Sequence, residues 1–94
     1  MKISKQVAAR LGKKYNINFN VVSFTEWHYG LNVELEHGTK LGSLTNITNN
    51  NVDLTAKIAI AHLIEAPDYY MRLYKMEKKM DQYWKGKSFN IYSL

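Results

Sequence analysis

Two pairs of histidine and glutamate residues have the spacing of ligands on one face of a helix. Glu34 and His37 are three residues apart, and so are His62 and Glu65. Residues three apart lie on the same side of an α-helix, so two such helices packed together would bring both pairs close to each other. Imidazole and carboxylate groups of this kind bind divalent metals such as zinc, iron or manganese.

A structural role for the same histidines is the stronger interpretation. His37 precedes Gly38, where an imidazole can interact with the last carbonyl groups of a helix. His62 lies in a nearly apolar segment, where a histidine usually bonds to a carboxylate or a backbone group. Glu36 and Asp68 are further carboxylates that a metal site could use. The sequence therefore leaves open a hydrogen-bonded cluster and a divalent metal site, and it implies no other cofactor.

Established catalytic motifs are absent from the sequence. Its 94 residues contain no cysteine, no glycine-rich phosphate loop, no GxSxG and no HExxH. Glu34 and Glu36 point about 200° apart on a helix, so they do not form a facing acid pair. We therefore expect a protein that is not an enzyme.

The positive charge of the chain, a formal +5, is concentrated at its two ends. Residues 1–14 contain five basic and no acidic residues, and residues 72–94 contain six basic and two acidic residues, whereas the middle is acidic. Clustered Lys and Arg bind phosphates, and a nearby aromatic ring can stack on a base. The residues that would contact nucleic acid or an acidic partner are Lys5, Arg10, Lys13, Lys14, Arg72, Lys75, Lys79 and Trp84. An ordinary solvated helix surface is the alternative, because no known nucleic-acid-binding motif accompanies them.

Hydrophobic periodicity predicts an all-α fold, a compact bundle of about four helices in one domain of residues 1–94. Apolar residues recur at spacings of three and four in four segments, 4–14, 24–37, 52–65 and 67–85. The 52–65 segment has the least polar surface, so we expect it to be the central, buried helix with the 24–37 and 67–85 helices packed on it. Residues 81–94 form a basic, aromatic tail.

Local signals mark the ends of two of these helices. The SFTE run at 23–26 has the pattern of a capping box, in which Ser23 bonds to the amide of Glu26 and the Glu26 side chain returns to the amide of Ser23. Gly30 in mid-helix costs about 1 kcal/mol relative to alanine, or permits a close helix crossing. Pro67 fits the first position of the last helix.

The last predicted helix has an apolar seam at spacings of three and four, formed by Tyr69, Leu73, Met76, Met80 and Tyr83. Tyr69 is therefore expected in the core. Its neighbour Tyr70 lies off this seam, and we expect it either in ordinary packing or at a pocket or partner surface. In the preceding helix, Lys57 is expected to form an ion pair with Glu34 or Glu36, because a buried charge needs a partner.

Two longer blocks resemble a family of small domains of unknown function from tailed phages and large DNA viruses. The blocks are VELEHG at 33–38 and KIAIAHLIEAPDYYMRLYKME at 57–77, joined by a loop that contains TNIT at 45–48. The similarity covers about residues 3–80 of the chain. It implies a compact helical domain of viral or phage origin, and it implies no biochemical activity. The motif residues for which we expect structural roles are Glu36, Gly38, Lys57, Pro67, Asp68, Tyr69 and Tyr70.

Together these features predict a small viral or phage protein that acts through contacts with other proteins, as a minor virion or accessory structural component. Its partners would be other virion proteins or a second copy of itself. Nucleic-acid binding and divalent-metal binding are the alternatives. Without a run of about 18 uncharged apolar residues or a signal-peptide core, we expect no membrane contact, no secretion, and a location in the host cytoplasm or the virion.

Overall fold

In a computed structural model that describes residues 1–93, the chain folds into four α-helices. They are α1 (Lys5–Lys14), α2 (Phe24–Glu34), α3 (Val52–Glu65) and α4 (Tyr69–Trp84). Three short 3-10 turns, at Leu35–His37, Thr39–Leu41 and Ser43–Thr45, lie between α2 and α3. No strand occurs within residues 1–93. The predicted all-α fold with four helices is confirmed.

Polar side chains fix the start of the first three helices. The hydroxyls of Ser4 and Ser23 accept hydrogen bonds from the backbone N–H groups three residues later, at 3.1 and 3.0 Å. The side-chain oxygen of Asn51 accepts the equivalent bond at the start of α3, at 2.9 Å. Each bond satisfies one N–H group that a helix end leaves without an intrahelical partner. The first half of the predicted capping box at Ser23 is therefore confirmed.

The central helix is α2, because it packs against α1, α3 and α4. Trp27 and Leu31 of α2 are fully buried in the core, and the Trp27 Nε1 group donates a hydrogen bond of 2.9 Å to the carbonyl of Ala8 in α1. The expected packing of α2 and α4 on α3 is observed. The expectation that α3 is the central helix is wrong, since only one side of α3 meets the core and its other side exposes Leu54 and Ile64.

The close crossing of α2 and α4 depends on Gly30. A Cβ atom on Gly30 would lie 2.5 Å from two ring carbons of Tyr70, which is fully buried. The sequence suggested a close helix crossing as one reason for Gly30, and this crossing is observed. Tyr70 takes the ordinary packing that was one of its two expectations, with its ring buried toward α2. Tyr69, expected in the core, is only half-buried and packs at the edge of the core.

The end of α2 is tighter than the sequence predicts. The predicted helix over 24–37 is α-helical only to Glu34 and continues to His37 as a 3-10 turn. Gly38 closes this turn, with its N–H donating to the carbonyl of Leu35 at 2.9 Å. Because Gly38 has no side chain, Asn50 can pack against it. The Asn50 side-chain oxygen would lie only 2.0 Å from a Cβ atom at position 38.

Pro67 is not the first residue of α4, as the sequence predicts. It lies in a turn in which the Tyr69 N–H donates to the carbonyl of Ala66 at 3.0 Å, and α4 begins at Tyr69. Ala66 is extended, with φ −155° and ψ 126°, as expected for a residue whose helical conformation is blocked by a following proline. Pro67 therefore ends α3 without belonging to α4.

Asp53 connects the ends of α1 and α3. Its Oδ1 atom accepts hydrogen bonds from Lys14 Nζ and from the Tyr15 hydroxyl, each at 2.6 Å. These two bonds hold the pKa of Asp53 below its ordinary value. Among the described helices, none combines the length and the apolar character that a membrane crossing requires.

Replacement of Gly30 by alanine tests the helix crossing. Helix propensity alone would stabilise the protein by up to about 1 kcal/mol, whereas a clash with a buried ring costs about 1–3 kcal/mol. We expect the clash to dominate, so that Gly30→Ala lowers the free energy of unfolding in a urea titration. The control is Ala61→Gly at an exposed position of α3, which should cost about 0.5–1 kcal/mol through propensity alone. A Gly30→Ala protein more stable than the native chain would contradict this account.

The Asp53 contacts predict a defined acid dependence. Because the folded state lowers the pKa of Asp53 below 3.8, its stabilising contribution is present above that pH and is lost as the pH falls through the folded pKa. We expect Asp53→Asn to be less stable than the native chain at neutral pH, with a difference that disappears in acid. Thermal unfolding from pH 2 to pH 7 measures this difference. A difference that stays constant over the whole range would show that the charge of Asp53 is not responsible.

Candidate functional site

Glu34 is a buried carboxylate that three side chains contact at once. Only 3% of its surface is exposed. The Tyr70 hydroxyl donates a hydrogen bond to Oε2, and His62 Nε2 lies 3.6 Å from the same oxygen. His37 Nε2 lies 3.1 Å from the other oxygen, Oε1. Residues from α2, the following 3-10 turn, α3 and α4 thus meet at one side chain.

The two histidine–glutamate pairs predicted from the sequence come together here. His62 contacts Glu34 with one ring nitrogen, and its Nδ1 lies 3.7 Å from Oε2 of Glu65. The Tyr69 ring stacks on the His62 ring with centroids 4.3 Å apart and an angle of 14° between the planes. Glu65 lies at the solvent-exposed edge of this cluster. The arrangement places both histidines beside carboxylates, as the structural interpretation of the sequence expects, and it also gathers possible metal ligands.

Glu36 brings a second carboxylate to the same place. One donor atom from each of Glu34, Glu36 and His37 lies within 4.8 Å of the other two. Glu36 and His37 are half-buried and therefore reachable from solvent. Asp68, the other carboxylate suggested by the sequence, instead pairs with Arg72 Nε at 3.0 Å.

The expected ion pair of Lys57 with Glu34 or Glu36 is wrong. Lys57 is exposed on α3 and forms no salt bridge with any other residue of the range 1–93. The reason is that the side of α3 facing α2 presents His62 to Glu34, whereas Lys57 lies on the solvent side.

The loop after the cluster is tied to His37 through its backbone. The His37 carbonyl accepts hydrogen bonds from the N–H groups of Ile47 and Thr48, at 2.7 and 3.0 Å. Asn50 then binds the backbone N–H of Thr39 with its side-chain oxygen at 3.0 Å. These bonds hold the loop close to the turn that carries Glu36 and His37.

Glu26 is a second buried carboxylate, and the sequence assigned it the wrong partner. Its two oxygens accept hydrogen bonds from the backbone N–H groups of Tyr70 and Met71, at 2.7 and 3.1 Å. Glu26 therefore caps α4. The capping box had predicted that it would cap its own helix, α2. The positive end of the α4 dipole stabilises the Glu26 charge. No local sequence signal shows this contact, because the residues are 44 and 45 positions apart.

The Glu34 cluster strongly favours the neutral form of Tyr70. Burial, the hydrogen bond to Glu34 and the nearby negative charge raise the pKa of the Tyr70 hydroxyl far above its ordinary value. Partial burial and the charge of Glu34 also raise the pKa of Tyr69. Tyr70 therefore acts as a hydrogen-bond donor at any physiological pH.

The basic residues expected to contact nucleic acid lie exposed on two helices. Lys5, Arg10, Lys13 and Lys14 belong to α1, and Arg72, Lys75, Lys79 and Trp84 belong to α4. Two of them are already paired with carboxylates, Lys14 with Asp53 at 2.6 Å and Arg72 with Asp68 at 3.0 Å. Binding of nucleic acid by this set stays a prediction.

Fold and site together define a small four-helix domain with a buried glutamate between two histidines and a tyrosine. The chain belongs to the family described as Protein of unknown function (DUF5661), which matches residues 8–79. The expected membership in a small domain family of unknown function is confirmed. No curated protein and no solved structure matches the chain.

The Tyr70 hydroxyl can be tested by its removal. In Tyr70→Phe, the buried Glu34 carboxylate loses its donor, which typically costs about 1–3 kcal/mol. Tyr69→Phe is the matched control, because within the described chain the Tyr69 hydroxyl makes no hydrogen bond. Urea unfolding should show a clear loss of stability for Tyr70→Phe and a change within about 0.5 kcal/mol for Tyr69→Phe. Equal effects of the two substitutions would contradict the assigned role.

Proposed function

We propose that this chain is a non-enzymatic binding module whose α4 helix contacts an acidic, amphipathic segment of a partner protein. The supporting observation is an exposed apolar row at the C-terminal end of α4, here called the α4 stripe. It consists of Met76, Met80, Tyr83 and Trp84, with exposed fractions between 45% and 63%. Large exposed apolar patches bordered by polar residues mark interaction sites.

The α4 stripe continues the side of the helix that enters the core. In the first two turns of α4, Tyr69, Tyr70 and Leu73 pack on the body of the protein. Met76, Met80 and Tyr83 follow at spacings of three and four, so they lie on nearly the same side. The predicted seam therefore exists, but α4 extends past the body that would cover its second half.

The outer end of α4 has little support from the rest of the chain. Every residue from Lys78 to Ser93 is exposed. The contacts there are local, with Trp84 against Phe89 at 4.9 Å between ring centroids and Lys87 Nζ 3.5 Å from the centroid of the Tyr83 ring. Short isolated helices are marginally stable in water, so a partner that covers the stripe would stabilise this end.

The charge next to the α4 stripe selects the chemistry of the partner. Six basic residues accompany it, with only Glu77 and Asp81 of opposite sign: Arg72, Lys75, Lys78, Lys79, Lys85 and Lys87. A second copy of the chain would bring these like charges together, which disfavours self-association. An apolar helix face flanked by Asp and Glu complements both the stripe and its surroundings.

The motif resemblance supports a setting for this module. Its VELEHG and KIAIAHLIEAPDYYMRLYKME blocks resemble those of phage and large-virus proteins, and on this resemblance the partner would be another viral protein. The module would then serve as a minor virion or accessory component, located in the host cytoplasm or the virion. The lack of a catalytic motif in the sequence supports a role without enzymatic activity.

Photo-crosslinking of the full chain in its native host tests this proposal. With benzoylphenylalanine at Tyr83, we expect a discrete adduct whose partner peptide carries apolar residues at helical spacing between acidic ones. The control carries the same photoreactive residue at Ile64, which is 79% exposed on α3. This control should not form the adduct.

A background variant separates binding from folding. Met76→Ser combined with Met80→Ser should reduce the adduct by about tenfold or more, since truncated interface anchors typically cost more than about 1 kcal/mol each. The melting temperature should change little, because both side chains are exposed in the free protein. Crosslinks to nucleic acid or to a second copy, or an adduct unaffected by the double substitution, would contradict the proposal.

A further inference from the structure

We propose that Glu34, Glu36 and His37 bind one divalent first-row transition-metal ion. This site is independent of the partner proposed for α4. One donor atom from each of the three residues lies within 4.8 Å of the others. The backbone holds them together, because Glu34 ends α2 and the 3-10 turn that follows carries Glu36 and His37.

The two oxygens of Glu34 have different surroundings. Oε2 accepts the Tyr70 hydroxyl and faces His62 Nε2 at 3.6 Å. Oε1 faces only the His37 side, with Nε2 at 3.1 Å. Hydrogen bonds to one oxygen of a carboxylate orient the other for metal binding, as outer-shell partners do in known metal sites. The hydrogen bond from Tyr70 therefore positions Oε1 toward the ion.

The separation of the donor atoms suits a shared ion. Metal–ligand distances of about 2.0–2.1 Å with tetrahedral angles place two ligand atoms about 3.3 Å apart. Glu34 Oε1 and His37 Nε2 are 3.1 Å apart, so an ion can join them after a small adjustment. Three protein ligands leave a further coordination position for water, and the half-buried Glu36 and His37 leave a path from solvent.

Charge compensation at Glu34 provides an independent argument. Buried carboxylates are normally paired with cations or bound to metals. Within residues 1–93, no Lys or Arg forms a salt bridge with Glu34, and its contacts are a tyrosine and two histidines. The other buried carboxylate, Glu26, has the N-terminus of α4 as its positive partner. A divalent cation supplies a permanent positive charge, which a tyrosine or a neutral histidine does not provide.

The ligand types select a class of metal. Magnesium and calcium prefer oxygen ligands alone, whereas an imidazole nitrogen with carboxylates suits zinc, manganese or iron. The absence of cysteine from the sequence leaves histidine and carboxylate as the metal-binding side chains. The ion is therefore held by one nitrogen and two carboxylate oxygens.

Calorimetric titration with Zn²⁺ tests this site in the full chain after treatment with a chelator. We expect one ion per chain, unaffected by excess Mg²⁺. Glu36→Gln and His37→Ala should each weaken binding by about tenfold or more, since even outer-shell losses cost about 10–100-fold. The control is His28→Gln, which changes a half-buried histidine within α2, outside the proposed site, whose Nε2 contacts the Ile3 carbonyl at 2.7 Å. It should keep the native affinity.

Circular dichroism of each variant without metal verifies the fold. Because Glu36 is half-buried, Glu36→Gln should stay folded and still tests the site if His37→Ala unfolds. Substitution with Co²⁺ adds a spectroscopic signature, because its visible absorption should vanish in the Glu36→Gln protein and on addition of Zn²⁺. A Kd for Zn²⁺ weaker than about 1 mM overturns the proposal. Equal affinities of the native chain and both ligand variants also overturn it, since binding would then occur elsewhere.

Discussion

The burial of Tyr70 between α2 and α4 is the constraint on which the rest of the structure depends. Its ring fills the space left by the missing side chain of Gly30, its hydroxyl donates to Glu34, and its backbone N–H donates to Glu26. The two glutamates are about two turns apart on α2. Tyr70 is therefore held at both ends, with its backbone N–H bound to Glu26 and its side-chain hydroxyl bound to Glu34. These contacts set the position of α4 and hold the Glu34 side chain next to His37 and His62. The candidate metal site and the direction in which the α4 stripe projects follow from them.

Much of the fold could be predicted because it is encoded locally. The caps at Ser4 and Ser23, the glycine at position 38 and the proline at position 67 act on their immediate neighbours, so their patterns place the helix ends within a few residues. The spacing of Glu34, His37 and His62 likewise identified side chains that meet in the structure. For these site residues, helical periodicity determines which side chains lie on the same side of a helix, and the packing of the helices keeps them together.

The remaining features depend on contacts between distant parts of the chain. The sequence placed Tyr69 in the core and left Tyr70 open between ordinary packing and a pocket or partner surface, because an apolar seam does not specify where the supporting body ends or how the helix is rotated against it. The same limit explains why α3 was expected at the centre, since an apolar composition does not show that only one side is covered. Glu26 had a plausible local partner at Ser23, and only the three-dimensional approach of α4 reveals that its carboxylate is used elsewhere.

The cap of α4 also constrains the order in which the chain folds. Asp68, directly before the helix, provides no side-chain cap, and the carboxylate that replaces it belongs to Glu26, 44 residues before Tyr70. A contact between such distant residues forms only after a large loss of chain entropy, so it contributes late in folding. During synthesis, α2 leaves the ribosome before α4, so Glu26 is already available when the first turn of α4 emerges. The last helix thus assembles on a template provided by the first part of the chain, in the direction of translation.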